Sequence, residues 1–243
     1  MTSEGDSPLP GPSLALVIPA FRAAAALPGV VERARRQVPT ARVIVVDDGS
    51  DDGTARAAET AGASVLRHSE NRGKGRALAT GLAAAVAAGA EAVVTLDADG
   101  QHPPEAIPLL LEPVIAGTSD LVVGARARDA GDMPLGRRLS NWLSSTLLSR
   151  AVGFPVPDSQ SGFRAMRREV AARVRPGGRR YEYETEFLLL AARHGFRITA
   201  VAVPTVYAGA PSHFRYGADT LALAAVFLRH WRSILLGPEP APR

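Results

Sequence analysis

The chain has 243 residues, of which 46% are apolar and none is cysteine. Its length suits one α/β domain with a sizeable core, and the lack of cysteine excludes a disulfide scaffold, a thiolate nucleophile and a cysteine-ligated zinc. The net charge of +4 favours anionic partners: nucleotides, phosphates, nucleic acid or an acidic membrane face.

Residues 1–12, MTSEGDSPLPGP, are polar and Pro-rich. They lack the basic and apolar regions of a signal peptide and read as a flexible tail. LALVIP (14–19) is a buried strand stopped by Pro19, and 23–37 has helical spacing with Pro28 and Gly29 breaking its first turn. ARVIVVDD (41–48) is a second strand, 54–62 a helix closed by Gly62, and ASVLRH (63–68) a third strand. An Ala-rich helix follows over 74–89, then strand AVVTLD (92–97), a helix over 103–117 with proline early, and strand DLVVGAR (120–126). The second half is less regular. Residues 135–153 have an amphipathic helical pattern, and 158–170 read as a loop leading into a short strand and helix. Helix 181–195, strand 197–207 and helix 217–236 complete the chain before a Pro-rich tail at 237–243. No stretch reaches the roughly eighteen consecutive apolar residues that a membrane span needs.

Alternating helices and continuous apolar strands predict a mostly parallel central sheet covered by helices on both faces. Ligands of such sheets bind beyond the carboxyl ends of the strands. The polar motifs fall there: PAF after the first strand, DDGSDDG after the second, NRGKG after the third, DADGQH after the fourth and GAR after the fifth.

Asp97 and Asp99 are two apart on an extended segment, so their side chains point the same way and repel. Either the pair is an acidic turn capping the next helix, or a divalent cation such as Mg²⁺ or Mn²⁺ sits between them, with Gln101 as a neutral oxygen ligand. Asp47 and Asp48 are placed to accept hydrogen bonds from a ribose or a base, while Ser50, Asp51 and Asp52 make the turn and cap. Lys74 lies in a Gly-rich turn that is neither a P-loop nor a GxGxxG motif. Arg126, Arg137, Arg138 and Arg164 could fork onto a phosphate, whereas the arginines over 167–180 form a solvated basic face. His102 lies beside the acids as a supporting group, and no Ser–His–Asp arrangement stands out.

VIPAF, VVDDGS, NRGKGRAL, LDADGQH, LVVGAR and DSQSGFRAM together resemble the ordered motif set of the family-two glycosyltransferases of GT-A fold. Within that family they are most similar to the dolichol-phosphate mannosyltransferase and polyprenyl-phosphate glucosyltransferase branch, over about Leu14 to Tyr207. The resemblance implies one domain over 13–236, with a nucleotide-sugar half (13–126) and an acceptor half (127–236). It implies that Pro19, Ala20 and Phe21 line the base, with Asp47 and Asp48 on base and ribose and Lys74 near the donor. Asp97, Ala98 and Asp99 meet the donor diphosphate, and Asp97, Asp99 and Gln101 hold Mg²⁺ or Mn²⁺. Arg126, Arg137 or Arg138, Ser140 and Arg164 fit the acceptor phosphate positions, and Asp158 and Ser161 hold that loop. Asp97, Asp99, Arg126 and Arg164 are the residues expected to carry catalysis.

The implied reaction is inverting transfer of a hexose from a GDP-mannose or UDP-glucose type donor to a polyprenyl phosphate. A hydroxyl acceptor is the alternative within glycosyl transfer, and a sugar-nucleotide nucleotidyltransferase the alternative outside it. PAFRAAAAL after the first strand lacks the Gly-rich basic loop the latter needs. FRAAAAL also replaces the usual acidic or Asn residues there, and AGAPSHFRYGADT departs from the family pattern, with His213 or Arg215 as possible substitutes. Nucleic acid is not an expected partner, because interleaved aromatics are lacking. The expected location is cytoplasmic, at the cytosolic face of a membrane. In the last helix LALAAVFL precedes Arg229, His230, Trp231 and Arg232, which suits either interfacial contact or packing on the sheet.

Overall fold

The computed structural model describes residues 13–126, 145–146, 148–150, 152–178, 182–204 and 224–231. The first half alternates strictly. Strands β1 (Leu14–Ala20), β2 (Arg42–Asp47), β3 (Ser64–Arg67) and β4 (Ala92–Thr95) are separated by helices α1 (Leu27–Gln37), α2 (Thr54–Thr60) and α3 (Lys74–Ala87). A 3₁₀ turn, Pro104–Ala106, leads into α4 (Ile107–Ile115) and then β5 (Leu121–Arg126). Strand β6 (Arg164–Arg167), helices α5 (Arg168–Arg173) and α6 (Glu182–Arg193) and strand β7 (Ile198–Val203) follow, and residues 224–229 are helical.

The strands form one sheet in the order β3-β2-β1-β4-β6-β5-β7. Pairs β1–β2, β1–β4, β2–β3 and β5–β7 are parallel. Strand β6 runs antiparallel between β4 and β5, with Arg164 opposite both Thr95 and Val123. The mostly parallel α/β sheet expected from the sequence is therefore present, with one reversed strand near its middle.

Side chains alternate across the strands, and both faces are dry. Val17, Val46 and Val93 pack with α3, α5 and α6 on one face. Leu16, Ile18, Val45 and Val94 pack with α1, α2 and α4 on the other. Continuous apolar strands are the sequence signature of this two-sided burial. The first helix starts four residues later than its spacing predicts, because the Ala23 carbonyl accepts from the N–H groups of Ala26 and Leu27 and closes a turn first. Pro28 then occupies the first helical turn, where its missing donor costs nothing. Helix α4 likewise begins after a 3₁₀ turn rather than at 103.

Helix α3 approaches the sheet closely enough that a Cβ on Gly81 would lie 2.4 Å from Val17 Cγ1. Gly81→Val should therefore overpack this contact and lower the unfolding free energy by about 2 kcal/mol. Urea denaturation measures it, and an unchanged midpoint would contradict the packing.

Candidate active site

Because β1, β2, β4, β5 and β7 share one direction, their carboxyl ends lie along one crest. The reversed β6 brings its first residue, Arg164, to the same edge. The motifs that follow these strands thus meet in one place.

The β1 exit forms the first wall. Pro19 and Ala20 are buried, and the Phe21 ring is exposed with the Arg22 guanidinium carbon 5.3 Å from its centroid. Arg22 has a φ of 50°, in the left-handed region where a non-glycine residue needs support. That support comes from the segment after β2. Arg22 forks onto Asp51 at 2.9 Å through Nε and Nη2, and its backbone N–H donates to Ser50 Oγ at 2.9 Å. The N–H groups of Ala23 and Ala24 donate to Thr54 Oγ1 and an Asp52 carboxylate oxygen. The turn and cap expected of Ser50, Asp51 and Asp52 are only part of what these residues do. Asp52 Oδ1 accepts from the N–H of Thr54, the first residue of α2, at 3.0 Å, while Ser50, Asp51 and the other Asp52 oxygen tie down the β1 exit. The reason is that residues 22–24 leave backbone donors open at the crest, which the neighbouring loop satisfies.

Asp47 and Asp48 divide their work. Asp47 accepts from the Ser50 N–H at 3.0 Å, and its other oxygen lies 3.2 Å from Arg67 Nε. Asp48 is buried and accepts from the N–H groups of Arg72 at 3.0 Å and Gly73 at 2.7 Å. His68 Nδ1–H donates to it at 2.6 Å, and His68 Nε2 lies 3.0 Å from the Thr80 hydroxyl. Asp48 thereby shapes the turn that delivers Lys74, rather than pointing its carboxylate at a ligand.

Lys74 opens α3 and reaches the centre of the crest. Its Nζ lies 2.8 Å from Asp97 Oδ1 and 2.8 Å from Glu184 Oε1. Burial alone would lower its pKa, but the two carboxylates outweigh that and raise it well above an ordinary lysine, so the ammonium stays charged. Asp97 and Asp99 follow β4, with buried Ala98 between them. Asp99 reaches solvent, yet the crest walls desolvate it and the Asp97 charge repels its own, so its pKa is raised. The Gln101 backbone N–H donates to Asp99 Oδ1 at 3.0 Å. These residues fit a hard divalent cation: a repelling carboxylate pair invites positive charge. Among the described residues no three His, Cys, Asp or Glu side chains form a fuller cage. Such a partial ligand set suits a cation shared with a phosphate.

The loop 158–163 closes the back of the site. Ser161 Oγ donates to the Gly124 carbonyl at 2.6 Å and accepts from the Phe163 N–H at 3.3 Å, and Asp158 accepts from the Gln160 N–H at 3.3 Å. Thr95 Oγ1 donates to the Gly162 carbonyl at 2.6 Å. A Cβ on Gly162 would come within 2.6 Å of Asp97 Oδ1 and 2.8 Å of Lys74 Nζ, so a side chain there would have to displace this ion pair. His102 is buried beside the acids with its ring 5.4 Å from that of Phe163, in keeping with a supporting role.

Arg164 differs from its expected use. It is buried, and its guanidinium donates to the carbonyls of Ser161 at 2.9 Å, Glu184 at 2.9 Å and Ser159 at 3.4 Å, 5.5 Å from the Phe187 ring centroid. Burial lowers its pKa. In this structure it braces the loop from behind instead of offering an open fork to a phosphate. Arg126 ends β5 in register with Val203. Arg137, Arg138, Ser140, His213 and Arg215 lie outside the described residues.

Glu184 was missed from sequence, where an acid in a first helical turn reads as a dipole effect. The available signal was its spacing. Glu184 shares a helix face with Phe187, Leu188 and Ala191, all buried, so the acid sits on an apolar face.

The family model described as Glycosyl transferase family 2 matches residues 15–175. The undecaprenyl-phosphate mannosyltransferase of Micrococcus luteus is 33% identical over 78% of this chain and 82% of its own. The UDP-N-acetylglucosamine–dolichyl-phosphate N-acetylglucosaminyltransferase of Methanococcus voltae is 31% identical over 79% of this chain and 85% of its own. Among solved structures, glucosyl-3-phosphoglycerate synthase from Mycobacterium tuberculosis in complex with UDP superposes with a TM-score of 0.71 at 25% identity. Its complex with Mn²⁺, UDP and glucosyl-3-phosphoglycerate superposes at 0.70 with 24% identity, a likeness of fold, and both cover 94% of this chain and 82% of that one.

Asp48→Ala should unseat the turn before Lys74. It leaves two backbone donors and the His68 Nδ1–H unpaired, which costs about 3 kcal/mol or more by chemical denaturation. Unaltered stability would refute this assignment.

Proposed function

The chain belongs to glycosyl transferase family 2, and from that premise we propose that it moves a hexose from a nucleotide sugar to a polyprenyl phosphate with inversion. The observation that carries this reading is the set of charges at the crest: Asp97 paired with Lys74 at 2.8 Å, and Asp99 exposed two residues on. A sugar diphosphate brings negative charge that a cation and an ammonium can share. The names of the relatives supply the acceptor class, a polyprenyl or dolichyl phosphate.

In this reading the base rests against the β1 exit at Pro19, Ala20 and Phe21, beside Asp47, and the diphosphate lies over Lys74 and the acids. Mg²⁺ or Mn²⁺ on Asp97, Asp99 and Gln101 would offset the charge that grows on the leaving diphosphate. Lys74 adds a fixed positive charge at the same spot. Arg126, Arg137 or Arg138 and Ser140 orient the acceptor phosphate, while Arg164 holds the loop that faces it. A phosphate monoester has a second pKa of about 6, so at neutral pH it attacks as a dianion and needs no general base. Much of the rate then comes from positioning.

The acceptor's lipid tail calls for a membrane surface. Among the described residues no helix is long and apolar enough to cross a bilayer. Residues 224–231 expose Leu228 (73%) and Trp231 (52%) beside Arg229, a combination suited to resting on anionic lipid from the cytosolic side.

The test is nucleoside diphosphate release from a panel of GDP- and UDP-sugars with Mg²⁺ or Mn²⁺. Acceptor arms are a short polyprenyl phosphate, 3-phosphoglycerate and none. Release that needs the lipid phosphate and is lost in Asp99→Ala is expected. Release with 3-phosphoglycerate alone would move the acceptor to a small phosphate, and release without any acceptor would mean hydrolysis. Separately, Leu228→Glu with Trp231→Ala should abolish sedimentation with vesicles containing phosphatidylglycerol. Unchanged sedimentation would remove this helix from the membrane contact.

A further inference from the structure

Three carboxylates and two cations gather at the crest and just behind it: Asp97, Asp99 and Glu184 with Lys74 and Arg164. Lys74 joins two of the acids at equal distance, 2.8 Å from each. The two are not equivalent. The Asp97 side chain is 22% exposed and that of Glu184 only 2%. A cation arriving from solvent can take Asp97, but Glu184 lies on the closed side of the ammonium, on a helix face sealed by Phe187 and Leu188.

The backbone fixes Glu184 as firmly as its burial does. Its carbonyl accepts from Arg164 at 2.9 Å. Two residues on, Glu186 accepts from the N–H groups of Gly177 at 2.9 Å and Gly178 at 2.8 Å. A Cβ on Gly75, next to Lys74, would meet the Gly178 carbonyl at 2.6 Å and the Tyr183 ring at 2.8 Å. The start of α3 and the start of α6 are therefore locked together, and Lys74 and Glu184 face each other across that contact.

We propose that Glu184 is a positioning residue: it keeps Lys74 paired when Asp97 turns from the ammonium to a divalent cation carrying the donor diphosphate. Without it, occupation of Asp97 would leave a partly buried ammonium without a carboxylate partner, and cation and ammonium would compete for one carboxylate. With it, Lys74 stays aimed at the diphosphate as the cation arrives. The inference rests on the donor site proposed above and adds a residue that no sequence motif assigns.

The test is Mn²⁺ binding in the presence of UDP, and in parallel GDP, followed by loss of the free-Mn²⁺ electron paramagnetic resonance signal. The chains compared are the unsubstituted protein, Glu184→Gln, Lys74→Met and the double variant. Glu184→Gln should weaken Mn²⁺–nucleotide binding about tenfold or more. In the Lys74→Met background the same change should have no further effect, since there is no ammonium left to hold. Equal binding by Glu184→Gln and the unsubstituted chain would overturn the inference, as would a full added loss on top of Lys74→Met. Absence of Mn²⁺ binding by the unsubstituted chain with both nucleotides would overturn the donor site and the inference with it. Thermal unfolding without metal gives a second readout that covers poor folding of the single variant. The double variant should melt above Lys74→Met, because it removes an unpaired buried carboxylate, and melting at or below it counts against the pairing.

Discussion

One ammonium group organises the crest. Lys74 Nζ sits between Asp97 from the end of β4 and Glu184 from the start of α6, and it comes from the first residue of α3. Three segments far apart in sequence are thereby referred to a single point. Repulsion among the acids would otherwise push these segments apart, and burying a lone lysine there would be just as costly. Charge balance and loop geometry are the same problem here, solved by one contact.

The surrounding loops obey a related rule, in which side chains satisfy backbone donors that the sheet cannot reach. Asp48 accepts from the turn before α3, and Ser50, Asp52 and Thr54 accept from the β1 exit. Ser161 and Thr95 donate to carbonyls of β5 and of the loop before β6. These bonds between neighbouring loops add to the local turns within each loop. A rigid ledge results from irregular backbone, which is the kind of support a diphosphate site requires.

The parallel frame was legible because continuous apolar runs leave little choice: both sheet faces must be covered. The acids after β4 were legible because repelling carboxylates at a strand end need a reason. The direction of β6 was not, since RAMR has the same side-chain pattern whichever way it runs. The burial of Arg164 was also hidden, because the carbonyls that hold it include Glu184, twenty residues away. Asp48 and Ser50 to Asp52 looked like ligand and cap residues, and spacing alone could not show which backbone donors the next loop would leave open. Glu184 hid behind a common pattern, acids in a first helical turn, although its place on the apolar face of α6 marked it as different.

The reversed strand has an architectural consequence. Strand β6 lies between β4 and β5 yet is antiparallel to both, and it enters at the crest through Arg164. The chain therefore leaves β5 and returns to β6 at the same edge of the sheet, so the excursion over 127–163 starts and finishes beside the acids. The residues that close it, 158–163, lie against Asp97 and Lys74, so the return path is itself a wall of the site.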